Sequence, residues 1–233
     1  RRHTRYPLVT GVQTCALPIS YWINPAAAQA SVFAHSKKLL RRELEAAKNL
    51  DIPYLVMHPG SAKGHASSET DPDGKRAGIE TIARMLNAVL KSENTVQILL
   101  ENTAHGKRTI GNNLEDFTQI KERLAYPEKV GFCFDTAHAF SYGYNIDEKL
   151  VQKIDATMGL NSIKLIHFND IHDTQGSNLD RHAPPGKGRI GKEALQMLLK
   201  HPKLSKLPLV IEAPEECFTK QEELLLEIKT WSS

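Results

Sequence analysis

Five short apolar runs, each followed by a segment with helical periodicity, constrain the fold of this chain more than any other feature. The runs occupy residues 52–58, 96–102, 130–135, 162–168 and 207–213. Helical periodicity is found at residues 31–50, 75–92, 113–125, 147–158, 191–200 and 220–231. Strands that are covered on both faces read as near-continuous apolar runs, whereas half-solvated strands alternate. The order of strands and helices therefore predicts an α/β fold with a parallel sheet.

The way in which the sheet is wound can also be predicted. No glycine-rich phosphate loop follows any of the five strands, which favours a (β/α)8 TIM barrel over a nucleotide-binding doubly wound sheet. Such barrels take about 250 residues and eight strands. We interpret the shortfall of up to three strands as a barrel that is incomplete at its N-terminus, with residues 20–233 forming one domain. An open sheet is the alternative.

Residues 1–19 differ in character from the rest. The segment RRHTRYPLVTGVQTCALPI has no amphipathic period, no helix cap and no strand alternation, and it lacks the apolar core and cleavage site of a signal peptide. It resembles a translated sequencing-adapter tract of the kind that contaminates metagenomic gene predictions. We therefore expect residues 1–19 to be a non-native, disordered tract, and the native chain to join near Ser20.

Composition restricts the class of protein. The formal charge of +3 comes from three arginines among the first five residues, and the remaining 27 basic residues balance the 27 acidic ones, so bulk charge does not indicate a nucleic-acid partner. No apolar stretch approaches the roughly 18 residues of a membrane span. Three widely spaced cysteines argue against a disulfide framework and fit a reducing compartment: Cys15, Cys133 and Cys217. We expect a soluble cytoplasmic protein with no membrane partner.

A potential metal ligand lies at the end of each apolar run. These residues are His58, Glu101, Asp135, His167 and Glu212. Any one of them taken alone would most simply be a hydrogen-bonded residue at the rim of a sheet. In a barrel, however, the carboxyl ends of the strands converge on one mouth. Carboxylates gathered there would repel one another unless cations neutralised them, so five such endings together predict a metal site.

Three further residues extend this set: His138 follows the third run, and Asp180 and His182 lie in the loop after the fourth. Four imidazoles and four carboxylates without sulfur are the donors of catalytic zinc, manganese or iron, and they are too many for one tetrahedral ion. At least two metals are therefore implied. Two-metal sites serve in-line displacement at phosphorus, which predicts a phosphoesterase.

Other polar residues give weaker signals. Asn102, Asn169 and Asp170 are interpreted as hydrogen-bond partners that orient the ligands. His65, His105 and His172 are expected to be solvated loop residues. The glycine-rich, basic segment GKGRIG (186–191) could approach a phosphate through backbone N–H groups, although it lacks P-loop spacing. Cys133 and Cys217 are expected to pack as small apolar side chains.

The motifs that contain these residues resemble those of the endonuclease IV family in order and spacing. They are HPGS (58–61), ENTA (101–104), FDTAHAF (134–140), HFND (167–170), DRH (180–182) with GKGRIG, and IEAP (211–214). The resemblance covers essentially all of residues 20–232. It implies a zinc-dependent apurinic/apyrimidinic endonuclease on a TIM barrel with three zinc ions.

The resemblance also implies an assignment of ligands. Glu101 would bridge two zinc ions, with His58 on the first. The second ion would be held by Asp135, His167 and Glu212, and the third by His138, Asp180 and His182. Glu101 and Glu212 are expected to take part in catalysis as well. The implied reaction is hydrolysis of the phosphodiester 5′ to an abasic site in double-stranded DNA, leaving a 3′-hydroxyl for base excision repair, by a monomeric enzyme.

The chain departs from the family pattern at three positions. Ala137 replaces the usual cysteine, and His105 replaces a glycine, which would alter the shape of its loop. Pro18 stands where the family has another zinc-binding histidine, so the first zinc site lacks a ligand. These departures leave an inactive fragment open as one alternative. A single-metal sugar isomerase or epimerase of the xylose-isomerase-like barrels is the other, because such barrels also place Glu, Asp and His at strand ends, although His138 and the DRH pair argue against it.

Overall fold

The structure, a computed structural model, describes residues 16–19, 22–68, 71–91, 93–106, 108–212 and 221–232. Its strands and helices follow in the order β1 (Ala16–Pro18), α1 (Ala30–Asn49), β2 (Tyr54–Met57), α2 (Pro72–Val89), β3 (Gln97–Glu101), α3 (Glu115–Lys121), β4 (Val130–Asp135), α4 (Thr136–Tyr142), α5 (Glu148–Thr157), β5 (Ile163–His167), β6 (Asp170–Ile171), β7 (His182–Ala183), α6 (Lys192–Lys200), β8 (Leu209–Val210) and α7 (Gln221–Lys229).

Six strands form one parallel sheet, in the order β1-β2-β3-β4-β5-β8, and β6 and β7 form a separate antiparallel pair. Neighbours in the six-stranded sheet follow chain order without a reversal. This winding is that of a (β/α)8 barrel, because a doubly wound sheet reverses its strand order at a switch point. The prediction of an incomplete TIM barrel is therefore confirmed for the described residues.

The sheet separates two apolar clusters. On the outer face, Leu55 and Leu100 belong to the large core that the helices cover. On the inner face a smaller buried cluster fills the barrel, and it consists of Val56, Leu99, Cys133 and Leu165. Successive side chains of a strand point to opposite faces, so one near-continuous apolar run supplies both clusters.

The helices are fixed by amphipathic patterning and by caps. In α1, Leu40, Leu44 and Ala47 recur at helical spacing and are buried against the sheet. The side chain of Asp71 caps α2 by accepting hydrogen bonds from the backbone N–H groups of Asp73 and Gly74. None of the helices in the described ranges combines the length and the apolar character that crossing a bilayer requires.

The predicted elements occur where expected, but their ends differ: most are shorter, whereas α1 and α2 are shifted toward the N-terminus by one and three residues. The five predicted strands correspond to β2, β3, β4, β5 and β8, and the last prediction reached residue 213, which lies outside the described residues. The six predicted helices correspond to α1, α2, α3, α5, α6 and α7. The largest difference is at α3, which covers only Glu115–Lys121 of the predicted 113–125.

The structure corrects the expectation for part of residues 1–19. Ala16–Pro18 form β1, which pairs in parallel with residues 54–56, and the N–H of Ile19 donates to the carbonyl of Val56 at 2.9 Å. A sheet edge presents unpaired N–H and C=O groups that a short apolar segment can pair with, and proline is tolerated at an edge. The non-native origin of the tract stays a prediction, and residues 1–15 lie outside the described part.

Two other features were not predicted. The short helix α4 starts directly after β4, and the β6–β7 pair joins Ile171 to His182. Neither has a sequence period of its own, because α4 has seven residues and each strand of the pair has two. Both features lie at the mouth of the barrel and carry predicted ligands.

Candidate metal centre

The five strand-end residues form one layer above the inner apolar cluster. Each lies two positions after an inward-facing apolar side chain, in the pairs Val56 and His58, Leu99 and Glu101, Cys133 and Asp135, Leu165 and His167, and Val210 and Glu212. Because the side-chain period of a strand is two, both members of each pair face the barrel interior. The parallel strands therefore deliver their terminal residues to a common site, as predicted.

Four of these residues form the largest such group in the described part of the chain, with ligand atoms all within 4.8 Å of one another: Glu101, Asp135, His167 and Glu212. The Nδ1 atom of His167 lies 2.8 Å from Glu101 Oε1 and 3.2 Å from Glu212 Oε2. The same nitrogen is 3.9 Å from Asp135 Oδ2. One imidazole and three carboxylates thus converge on a volume that suits one cation.

Glu101 also belongs to a second group, together with His58 and His138. Its Oε2 atom lies 3.3 Å from His58 Nε2, whereas Oε1 is directed at His167. The two oxygens of one carboxylate therefore reach two adjacent groups, which is the geometry of a bridging ligand. On β1, Pro18 lies beside Val56 and carries no side-chain donor. The loss of one ligand from this second group stays a prediction.

The third group joins α4 to the β6–β7 region. Asp180 Oδ1 lies 3.3 Å from His138 Nε2 and 2.9 Å from His182 Nε2. Asp135 borders this group as well, since its Oδ2 is 3.9 Å from His182 Nε2. The eight residues predicted from the sequence are therefore all brought together at the barrel mouth.

Asp135 explains why β4 ends in a helix. Its Oδ1 accepts a hydrogen bond of 2.7 Å from the N–H of His138, which caps the first turn of α4. Residues three apart in such a turn stay close, so Asp135 has ligand atoms within 4.8 Å of His138 and His182 as well as of the first group. The Nδ1–H of His138 donates to the carbonyl of Asn102 at 2.8 Å, which leaves Nε2 to face Asp180 and His182.

Two asparagines hold the ligands in place, as predicted. Asn169 donates from Nδ2 to Asp135 Oδ2 at 2.7 Å and accepts at Oδ1 from the N–H of Glu212 at 2.8 Å. The Oδ1 of Asn102 accepts from the N–H of Asp135, and its Nδ2 donates to the carbonyl of the same residue. Both asparagines are buried, so their amides are fixed in these orientations.

Opposite charges dominate the electrostatics of the site. Burial alone would raise the pKa of Glu101, but the charges of His167 and His58 outweigh it and hold that pKa well below its usual range. Burial likewise opposes the charge on His167, yet the carboxylates of Glu101 and Glu212 are among the groups that raise its pKa well above the ordinary value. The carboxylates thus favour positive charge at this site.

Cys133 lies close to this layer without joining it. Its Sγ falls within 4.8 Å of ligand atoms of Glu101 and His167. Burial raises the pKa of the thiol to about 12, however, so it stays protonated at neutral pH. Cys133 therefore packs as a small apolar side chain, as predicted, and Cys217 lies outside the described residues.

One buried atom indicates that the residues fit a metal ion. His182 Nε2 is buried and has no hydrogen-bond partner in the described part of the chain, although it faces the carboxylates of Asp180 and Asp135. Buried polar atoms without a partner are rare in native structures. A cation held between this nitrogen and the two carboxylates would satisfy all three, and the donor set is that of zinc, manganese or iron.

The backbone N–H groups of the GKGRIG segment, which the sequence suggested could approach a phosphate, bind a carboxylate of the chain itself. The carboxylate of Asp170, which is fully buried, accepts hydrogen bonds of 2.8–3.1 Å from five backbone N–H groups, those of Ile171, Gly186, Gly188, Ile190 and Gly191. A Cβ atom at Gly188 would lie 2.4 Å from Asp170 Oδ1, so only glycine permits this approach. Asp170 therefore anchors the loop; the sequence prediction that it orients a ligand missed this role.

The three loop histidines differ from one another. His65 is not solvated, because its Nε2 lies 3.1 Å from the carbonyl of Ala26 and 3.3 Å from Thr81 Oγ1. His172 is exposed, as expected. The side chain of His105 is half-exposed and borders the candidate metal centre, with Nε2 at 3.8 Å from Asp180 Oδ2.

The fold and the site together define a TIM-barrel protein with an imidazole and carboxylate centre at the carboxyl ends of its strands. The family model described as xylose isomerase-like TIM barrel matches residues 8–231. A protein of Thermosipho africanus named "Probable endonuclease 4" is 38% identical over 199 residues, which cover 83% of this chain and 68% of that protein. Its namesake in Methanoculleus marisnigri is 35% identical over 201 residues, with coverage of 83% and 68%. The chain belongs to the endonuclease IV family.

Solved structures agree on the fold. The endonuclease IV of Thermus thermophilus superposes with a TM-score of 0.76 at 26% identity, covering 93% of this chain and 74% of that one. A D-tagatose 3-epimerase-like protein gives a TM-score of 0.67 at 18% identity, covering 93% and 77%. At that identity the second likeness shows the shared barrel alone.

Proposed function

We propose that this chain is a zinc-dependent endonuclease of base excision repair that hydrolyses the phosphodiester 5′ to an abasic site in double-stranded DNA and leaves a 3′-hydroxyl. Family membership supports nuclease activity. Three zinc ions, the abasic substrate, a monomeric state and a cytoplasmic location are the finer parts of the proposal, and the resemblance in the motifs supports them.

The observation that carries the proposal is the convergence of four imidazoles and four carboxylates, without a thiolate, in three adjoining groups. The group of Glu101, Asp135, His167 and Glu212 is already sufficient for one ion. The remaining residues have no use in a single-ion site. Divalent ions held by these residues would lower the pKa of a bound water and neutralise the charge of a phosphodiester.

The positions of Glu101 and Glu212 suit them to different roles in the reaction. Glu101 holds two groups together, since its Oε1 lies 2.8 Å from His167 Nδ1 and its Oε2 lies 3.3 Å from His58 Nε2. Glu212 is the most accessible member, with 38% of its side chain exposed. Its carboxylate therefore borders the space through which a substrate enters, and we assign to Glu212 the role of accepting the proton of the water that attacks phosphorus.

Access to the site fits a nucleotide that is extruded from the duplex. The ligands on β3, β4 and β5 are no more than about 5% exposed, whereas Glu212 and Asp180 border the solvent. The scissile phosphodiester must therefore enter from the mouth. An abasic sugar has no base to unstack or unpair, which lowers the free energy of extrusion and contributes selectivity.

The test is a cleavage assay with the zinc-loaded chain and a duplex that contains one stable abasic analogue. We expect a single cut 5′ to the analogue and a product that a polymerase extends, with the undamaged duplex left intact. Chelation should abolish cleavage, and added zinc should restore it. A folded, metal-loaded chain that left the abasic duplex uncut would contradict the proposal.

The single-metal sugar isomerase stays the alternative, because the group around His167 is a complete donor set for one ion. Elemental analysis separates the two functions. Two or more tightly held ions per chain support the nuclease, and one ion with turnover of a ketose or aldose supports the isomerase.

A further inference from the structure

His105 extends toward the metal centre from the loop between β3 and α3. Its Nε2 atom lies 3.8 Å from Oδ2 of Asp180, and its side chain is 55% exposed. The other oxygen of Asp180, Oδ1, faces His138 and His182. The two oxygens of the Asp180 carboxylate therefore face different partners: Oδ1 faces the third group and Oδ2 faces His105.

The backbone at His105 is fixed. The side chain of Asn112, which is 2% exposed, donates to the carbonyls of both His105 and Gly106. Asn112 Oδ1 in turn accepts from Lys75 Nζ at 3.2 Å. A buried amide and a lysine of α2 thus set the path of the loop, so the position of His105 follows from the fold.

The neighbouring cation is engaged elsewhere. Arg181 is adjacent to Asp180 in sequence, but its guanidinium forms an ion pair with Asp173. In the described part of the chain, the ion-pair partners of Asp180 are His105, His138 and His182. His105 is the one of these three that faces Oδ2.

We propose that His105 is a positioning residue of the third metal group. A shift of roughly 1 Å brings its ring N–H into hydrogen-bond range of Asp180 Oδ2. This contact holds the carboxylate plane so that Oδ1 stays directed between His138 and His182. Partners of this kind fix the orientation of a metal-binding carboxylate and raise its affinity for the ion. The inference rests on the proposed metal centre and deepens it.

The experiment measures zinc retention without DNA. Wild-type, His105→Ala and His105→Gln chains are loaded with zinc and titrated with a chromophoric chelator. We expect one of the bound ions to be lost at roughly tenfold lower chelator activity from His105→Ala than from wild type, within the range for such partners. Glutamine also carries an N–H donor, so His105→Gln should restore much of the affinity. His35→Ala, at an exposed histidine of α1, is the matched control and should behave as wild type.

The outcomes separate this inference from the proposed function. If wild type binds several ions and His105→Ala retains them equally, the role of His105 is refuted while the metal centre stands. If wild type binds no zinc, the metal centre itself fails. Loss of affinity in both His105 variants, without rescue by glutamine, would also refute the hydrogen-bond role. Circular dichroism of each variant checks that the fold is retained.

Discussion

Two layers of side chains inside the barrel come from the same strands but differ in polarity and charge. The lower layer contains Val56, Leu99, Cys133 and Leu165, all buried and apolar. The upper layer begins two residues later along each strand and contains imidazoles and carboxylates. A displacement of about 7 Å along the strands, two residues at about 3.3 Å each, thus separates packing from chemistry.

The difference teaches how the fold tolerates so much buried charge. The donors lie next to the buried lower layer on one side, whereas Glu212 and Asp180 are partly exposed to solvent at the mouth. The upper layer is held by hydrogen bonds to Asn102 and Asn169. The lower layer should therefore govern the free energy of unfolding, and the upper layer should govern metal binding and catalysis.

The largest effect is expected at Asp135, the fully buried donor that borders two groups. Asp135→Asn keeps an oxygen to cap α4 but removes the charge. We expect a loss of about 1,000-fold in kcat/KM on an abasic duplex, equivalent to about 4 kcal/mol, because metal-supplied stabilisation is worth several kcal/mol. Zinc content should fall in parallel. If Asp135→Asn retained both its zinc and its cleavage activity, the assignment of metal binding and catalysis to the upper layer would be wrong.

Leu99, two residues before Glu101, tests the lower layer. Leu99→Ala removes a fully buried side chain and should lower the free energy of unfolding by about 3 kcal/mol. Urea denaturation measures the loss, and zinc analysis of the folded fraction should give the wild-type content. The reverse pattern, unchanged stability with loss of zinc, would show that the layers are not separable.

A smaller effect is expected at Asn169. This residue binds no metal in our proposal but holds Asp135 and Glu212 together. Asn169→Ala should weaken zinc binding by roughly 10-fold to 100-fold. A chelator titration measures this change. Asn87→Ala, at an exposed asparagine of α2, is the matched control and should leave zinc affinity unchanged. Equal zinc affinity in Asn169→Ala would remove the asparagine from the account of the site.

The sequence predicted the upper layer well, for a physical reason. A ligand at the end of a buried strand has one possible direction once the strand period and the barrel are known, so His58 and His167 could be placed without coordinates. The five buried strands were predictable for the same reason, since apolar runs of that length between helices have few other uses.

Short elements and loop contacts could not be predicted in this way. β1 has three residues and pairs only because an edge is open to it, which no local pattern records. The glycines of the GKGRIG segment were visible, but their partner, Asp170, lies 16 residues before Gly186. Glycine spacing indicates that some group comes close to the backbone, but it does not identify that group. Here the group is a carboxylate of the chain itself.

The smallest effect is expected at a carboxylate outside the barrel. It contrasts with the carboxylates of the upper layer because it stabilises the fold and takes no part in the site. Asp71 caps α2, and hydrogen bonds chiefly from the N–H groups of Gly74 and Ser67 lower its pKa from 3.8 to about 2. Because the folded-state pKa lies below the unfolded value, the charged cap stabilises the fold fully above pH 3.8, and this contribution is lost as the pH falls through 2. Thermal unfolding should therefore show wild type more stable than Asp71→Ala at neutral pH, with the difference shrinking below about pH 4, while zinc content is equal in both. A gap that stayed constant down to about pH 2 would indicate that the cap acts through its shape and not through its charge.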